Sequence, residues 1–179
     1  MTRMHPDPQG KLRILETTDL HMHLLGYDYF ADRADDTIGL GMLADVIAAQ
    51  RAKDTTATLL FDNGDFLQGN PLADHIAETL ATGEVHPLAA AMNMLRYDAV
   101  TLGNHDFDYG LPFLRSTLGQ IECAKVSANV QTSDGAALAA RYVILPTPIV
   151  CSDGATRTLR VGVTGFAPPQ MAELGSHGQ

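Results

Sequence analysis

Leu12-Arg13-Ile14-Leu15-Glu16-Thr17-Thr18-Asp19-Leu20-His21 is a run whose apolar residues stop abruptly at a polar cluster. Residues 12–17 read as a short strand, and Thr18 to His21 as the loop at its carboxyl end. The same arrangement recurs twice. Thr58 to Phe61 is a second strand, stopped by Asp62-Asn63-Gly64-Asp65. Ala99 to Leu102 is a third, stopped by Gly103-Asn104-His105-Asp106.

Between these strands the apolar period changes. Leu40, Leu43, Ala44, Ile47 and Ala48 recur at three- and four-residue intervals and predict a helix running to about Lys53. Pro71 and Pro87 each suit the first turn of a helix, one ending near Gly83 and the other at Leu95. Another helix over Leu111 to Leu118 precedes a strand around Ala124 to Ser127. Tyr142 to Val150 and Thr158 to Gly165, separated by Ser152-Asp153-Gly154, read as an antiparallel pair. Strands alternating with helices predict an α/β fold with a largely parallel central sheet. In such a sheet the carboxyl ends of the strands open into one crevice, so the three polar clusters would meet there.

The bulk composition narrows what that crevice can bind. At 179 residues, 45% hydrophobic and 18% charged, the chain has the make-up of a soluble globular domain. A chain of this length buries roughly 70% of its unfolded surface, so it needs no structural metal and any metal is free to be catalytic. The net charge is −9, from 12 Lys and Arg against 21 Asp and Glu, with no basic run. A nucleic acid polymer is therefore excluded as a partner. The same acidity would repel a small phosphate unless the carboxylates gather cations. Cys123 and Cys151 form no C-x-x-C pair and are expected to be small buried apolar residues. Residues 1–11 read as a flexible leader with no export signal, and no window reaches membrane-spanning length. A cytoplasmic protein without membrane attachment is the expectation.

The polar clusters carry metal chemistry. Asp19 and His21 lie two positions apart, so in an extended segment both would face one cation. Asp65 could bridge two cations, with Gly64 letting the backbone pass close to a bound ion. Asn104 offers an amide oxygen to a second metal, and His105 an imidazole for a phosphate oxygen or the leaving group. Asp108, three residues on, could hold one ring nitrogen of His105 and favour its protonated form. Mixed Asp, His and Asn ligands suit manganese, zinc, cobalt or iron better than calcium. Two divalent cations roughly 3.5–4 Å apart would clamp an in-line displacement at phosphorus and generate a hydroxide at neutral pH.

Taken singly, these residues also fit a helix cap or a turn; their order at three strand ends is what favours the metal reading. Gly39-Leu40-Gly41-Met42-Leu43-Ala44 formally fits a dinucleotide-binding fingerprint, but the polar, Asp-rich stretch before it is no strand, and the reading is rejected. His23 is expected in an exposed loop and His75 and His86 on the surface. Met42, Met92 and Met94 are expected to be core filler.

The set D-x-H, G-D and G-N-H-D resembles the calcineurin-like metallophosphoesterases. Longer words narrow the resemblance: Glu16 to His21, Asp62 to Asp74, and Leu102 to Leu111, together with Tyr27-Asp28-Tyr29-Phe30 and His86-Pro87, are similar to the bacterial 2′,3′-cyclic-nucleotide 2′-phosphodiesterase/3′-nucleotidases. The resemblance runs from about Leu12 to Gln170. It implies the amino-terminal portion, 12–179, of a four-layer α/β/β/α metallophosphatase sandwich with a dinuclear site. Asp19 and His21 would sit on one metal, Asp65 would bridge, and Asn104 would hold the other. Asn104 and His105 would contact substrate, and His105 with Asp108 would serve catalysis. It further implies a small-molecule nucleotide substrate, a cyclic nucleotide opened to the 3′-nucleotide and then cleaved to nucleoside and phosphate, with a 5′-nucleotidase as the neighbouring branch. Such proteins carry a later G-H-x-H element and a nucleoside-binding domain, and many are exported. Gly175-Ser176-His177-Gly178 is no G-H-x-H match, so an isolated fragment is expected to be inactive.

Overall fold

Leu12–Thr17 forms strand β1, Tyr27–Asp28 and Arg33–Ala34 a small antiparallel pair β2 and β3, and Leu40–Ala52 helix α1. Strand β4 (Ala57–Asp62) follows, then α2 (Pro71–Thr79), α3 (Pro87–Leu95), β5 (Ala99–Val100), α4 (Leu111–Gln120), β6 (Ala124–Lys125), β7 (Tyr142–Val150) and β8 (Thr156–Thr164). The computed structural model describes residues 7–168 except 55, 133 and 134. Strands β1, β4, β5 and β6 lie in that order in one parallel sheet, with Leu12 opposite Ala57 and Thr17 opposite Asp62. The α/β expectation holds.

Side-chain alternation explains why β4 and β5, inside this sheet, are buried on both faces, while Ile14 of β1 stays exposed. Leu60 and Val100 join Leu40 and Ile47 of α1, Leu88, Ala89 and Met92 of α3, and Leu114 and Leu118 of α4 in one apolar core. Leu59 and Ala99, out of phase with them, are buried too, and β7 lies against β4 with Thr147 and Ile149 as its buried residues. The described residues thus supply a parallel sheet flanked by helices and an antiparallel hairpin beside it.

Several boundaries shift for local reasons. Helix α2 stops at Thr79 because Leu80 turns extended, its N–H still bonded to the Ile76 carbonyl, and Gly83, at φ 92°, belongs to the next turn. The strand expected to Leu102 ends at Val100, although the Thr101 N–H still reaches the Asp62 carbonyl at 3.0 Å. In the hairpin, Tyr142 pairs with Thr164 and Val150 with Thr156, so β8 starts two residues early. Of the expected leader, residues 1–6 lie outside the described residues. Gln9 and Gly10 are tied to the hairpin turn: Gln9 exchanges hydrogen bonds with Ser152, and Gly10 bridges Cys151.

Some single-residue expectations are corrected. His86 is buried, not superficial, because its Nδ1 caps α3 by accepting the Leu88 N–H and its ring packs edge-on against Phe113. Met92 fills the core, but Met42 and Met94 are exposed. Both cysteines are free and only half-buried. Among the described residues no helix is long and apolar enough to cross a membrane.

Candidate metal centre

Strand β1 delivers Asp19 and His21 two and four residues beyond its end, and backbone pairing then fixes them against the loop after β4. Asp19, His21 and Met22 donate their N–H groups to the carbonyls of Gly64, Asp65 and Phe66 at 2.9–3.0 Å. The segment is not extended. Asp19 has φ 54°, His21 φ 43° and Asp65 φ 57°, a left-handed backbone that non-glycine residues adopt at a cost of about 1–3 kcal/mol each. Their side chains converge through these turns, not through strand alternation.

One ligand atom from each of Asp19, His21 and Asp65 lies within 4.8 Å of the other two. His21 Nδ1 is 2.5 Å from the carbonyl oxygen of Gln68. A carbonyl can only accept, so Nδ1 carries the proton in this bond, which leaves Nε2, 3.6 Å from Asp19 Oδ1, as the ring nitrogen that can offer a lone pair to a metal. Two carboxylates and an imidazole lone pair so close repel one another unless a cation lies among them. The donor set therefore fits a divalent metal.

The third strand end brings His105 to the same place. Its ring stands edge-on to that of His21 with centroids 5.4 Å apart, and its backbone N–H donates to Asp65 Oδ1 at 2.7 Å. His105 Nδ1 lies 2.8 Å from Asp108 Oδ2, and that hydrogen bond to Asp108 raises the imidazole pKa above its ordinary value. The proton on Nδ1 faces Asp108, which leaves Nε2 for a substrate. Asn104, immediately before His105, is half-buried with helical backbone angles and caps no N–H with its side chain. The three loops after β1, β4 and β5 thus place the six expected residues along one edge of the sheet. A concavity of about 750 Å³ between α2 and α4, lined by Asp74, Glu78, Tyr109 and Phe113 among others, includes none of them.

Glycines let these loops touch. A Cβ on Gly103 would fall 2.1 Å from Asp65 Oδ1, and one on Gly64 would fall 2.2 Å from the Gly103 nitrogen. Gly64 is needed for this loop-to-loop contact.

Residues 12–164 match the calcineurin-like phosphoesterase family. The chain belongs to that family. Calcineurin-like phosphoesterases use divalent metals, in keeping with the donor set assembled here. The chain is 43% identical over 89% of its length to the 2′,3′-cyclic-nucleotide 2′-phosphodiesterase/3′-nucleotidase of Yersinia enterocolitica. It is 40% identical over 92% of its length to the trifunctional nucleotide phosphoesterase YfkN of Bacillus subtilis. It spans 25% and 12% of those two proteins. The crystal structure of YfkN from Bacillus subtilis superposes with a TM-score of 0.88 at 38% identity, covering 96% of this chain and 54% of that one. The metallophosphatase fold is thereby established for this calcineurin-like chain.

The structure adds residues around the site that sequence reasoning gave no role. Asp62 is buried, takes the Thr17 hydroxyl at 2.6 Å and the Gly64 N–H at 3.0 Å, and is pushed up to about 7 by burial. The Tyr97 hydroxyl lies 2.8 Å from that of Thr17 and extends the network into the core. Asp106, fully buried, accepts four backbone N–H groups; burial pushes its carboxyl up to about 6 against the pull of those donors. Asn70 caps α2 through Ala73 N–H and donates its amide to the His21 carbonyl at 2.8 Å. Asp62, Asp106 and Asn70 stand inside the motif words, the one signal that marked them.

Proposed function

We propose that this calcineurin-like phosphoesterase hydrolyses small nucleotides, opening 2′,3′-cyclic nucleoside monophosphates to 3′-nucleotides and cleaving these to nucleoside and phosphate. In the first step water adds at phosphorus and the P–O2′ bond breaks, the 2′-oxygen leaving with a proton. In the second, water adds again and the P–O3′ bond breaks. The observation that carries this reading is the convergence of Asp19, His21 and Asp65 beside the His105–Asp108 pair. The names of the two curated relatives favour nucleotides as the substrate class.

Asp19 and His21 would hold one divalent transition metal, Asn104 a second, and Asp65 would bridge them. When bound, the metals supply Lewis acidity and positive charge where a chain of net charge −9 would otherwise repel phosphate. The Gln68 carbonyl holds the His21 Nδ1–H, so Nε2 is the ring nitrogen turned to the metal. His105, held by Asp108, presents Nε2 to a phosphate oxygen or to the leaving 2′- or 3′-oxygen. The Asp108 hydrogen bond raises its pKa and so favours the protonated form that such a transfer needs.

The test is to assay the intact protein with manganese or cobalt on 2′,3′-cyclic AMP, 3′-AMP and 5′-AMP. Cyclic AMP and 3′-AMP are expected to be hydrolysed and 5′-AMP to be poor. Preference for 5′-AMP would move the protein to the 5′-nucleotidase branch, and no turnover of any of the three would end the reading.

A further inference from the structure

The loops after β4 and β5 are joined through one buried side chain. Asp106 Oδ2 accepts the N–H of Asp65 at 3.0 Å and of Gly103 at 2.9 Å, and Oδ1 accepts the N–H of Phe66 at 2.9 Å and of Leu67 at 3.0 Å. All four partners are donors, so only a carboxylate satisfies them. An amide would turn its NH₂ against one pair. Across the same junction His105 N–H donates to Asp65 Oδ1, with Gly103 and Gly64 in close contact.

We propose that Asp106 is a positioning residue that locks the Asp65 loop to the Asn104–His105 loop before any metal arrives, and so sets the spacing of the two metal positions. The proposal rests on the metal reading above for its purpose, but not for its geometry. Asp106 is fully buried with every oxygen lone pair directed at backbone, so it acts through Asp65 and Gly103 and not on a substrate. A bridging carboxylate serves two metals only if the loops on either side keep a fixed separation. Groups that orient metal ligands typically change metal affinity by 10- to 100-fold when replaced.

Two measurements decide it. In the metal-free intact protein, amide hydrogen exchange at Asp65, Phe66, Leu67 and Gly103 is expected to be as slow as in β4. Exchange at exposed-loop rates there overturns the proposal without any variant having to fold. In Asp106→Asn, calorimetric titration with Mn²⁺ is expected to show affinity lowered 10- to 100-fold, with protection lost at one pair of amides or both. Leu114→Ala, in the core of α4, serves as the control: it lowers the melting temperature but leaves Mn²⁺ affinity at the wild-type value. Wild-type Mn²⁺ affinity in Asp106→Asn, or an equal loss in Leu114→Ala, overturns the positioning role. Should wild-type protein take no Mn²⁺ at all, the functional reading falls, while the exchange pattern still decides how the loops are held.

Discussion

Asp65 Oδ1 accepts the backbone N–H of His105 at 2.7 Å, so the carboxylate read as a metal bridge also fixes the loop that carries the other half of the site. Charge and hydrogen bonding at this residue are therefore separable. An amide oxygen would still accept from His105.

Asp65→Asn is expected to keep the fold but to lose bound metal and to lower kcat by roughly 10²- to 10³-fold, the usual effect of removing one electrostatic group from a reacting centre. Metal per chain by elemental analysis and turnover of 3′-AMP check this together. A variant with normal metal content and normal rate contradicts the bridging role.

Asp108→Asn tests the partner of His105. The Asp108 hydrogen bond raises the imidazole pKa, so the protonated form persists to higher pH and is lost as pH rises through that raised value. Without the carboxylate, the alkaline limb of the kcat/KM profile is expected to move to lower pH. Activity above neutral pH should fall about tenfold for each pH unit by which the limb moves. An unmoved limb removes His105 as the acid.

Gly103→Ala should disturb the site sterically. The new Cβ would fall 2.1 Å from Asp65 Oδ1 and 2.5 Å from the Asp65 backbone nitrogen, so side-chain rotation alone gives no relief. A loss of about 1–3 kcal/mol in urea unfolding is expected, as for other overpacked positions, along with weaker Mn²⁺ binding. Wild-type stability would show that the two loops can part freely.

His86, which is not among the candidate metal ligands, gives a separate pH signature. Burial lowers its pKa from 6.5 to about 4, so the unfolded chain binds the proton first. The stability that a neutral His86 contributes is present above pH 6.5 and is lost as pH falls towards 4, a change of about 3 kcal/mol. His86→Asn keeps a capping acceptor but should lack this dependence. Asp62 and Asp106, whose pKa values are raised by burial, act in the opposite direction, so the difference between variant and wild type is the quantity to follow. Parallel stability curves for the two proteins from pH 7 to 4.5 would contradict the assignment.

What the sequence determined is what local chemistry controls. Pro71 and Pro87 start α2 and α3 because a fixed φ suits a first turn, and the spacing from Leu40 to Ala48 made α1 readable. The strand-to-polar transitions at Thr17, Asp62 and Val100 located all three site loops. Tertiary structure alone decided how those loops hold their side chains. His21 is oriented by a backbone carbonyl 47 residues away, which any residue at position 68 could supply, so no side-chain pattern announces it. The left-handed turns at Asp19, His21 and Asp65 persist because N–H groups from one loop pair with carbonyls of the next. His86 reads as a surface residue until Phe113 packs on it, and Asp106 reads as one more acidic residue in a polar word until four N–H groups from two loops meet it. Propensity and period act within a few residues. Burial and ligand geometry depend on which distant segments the sheet brings together.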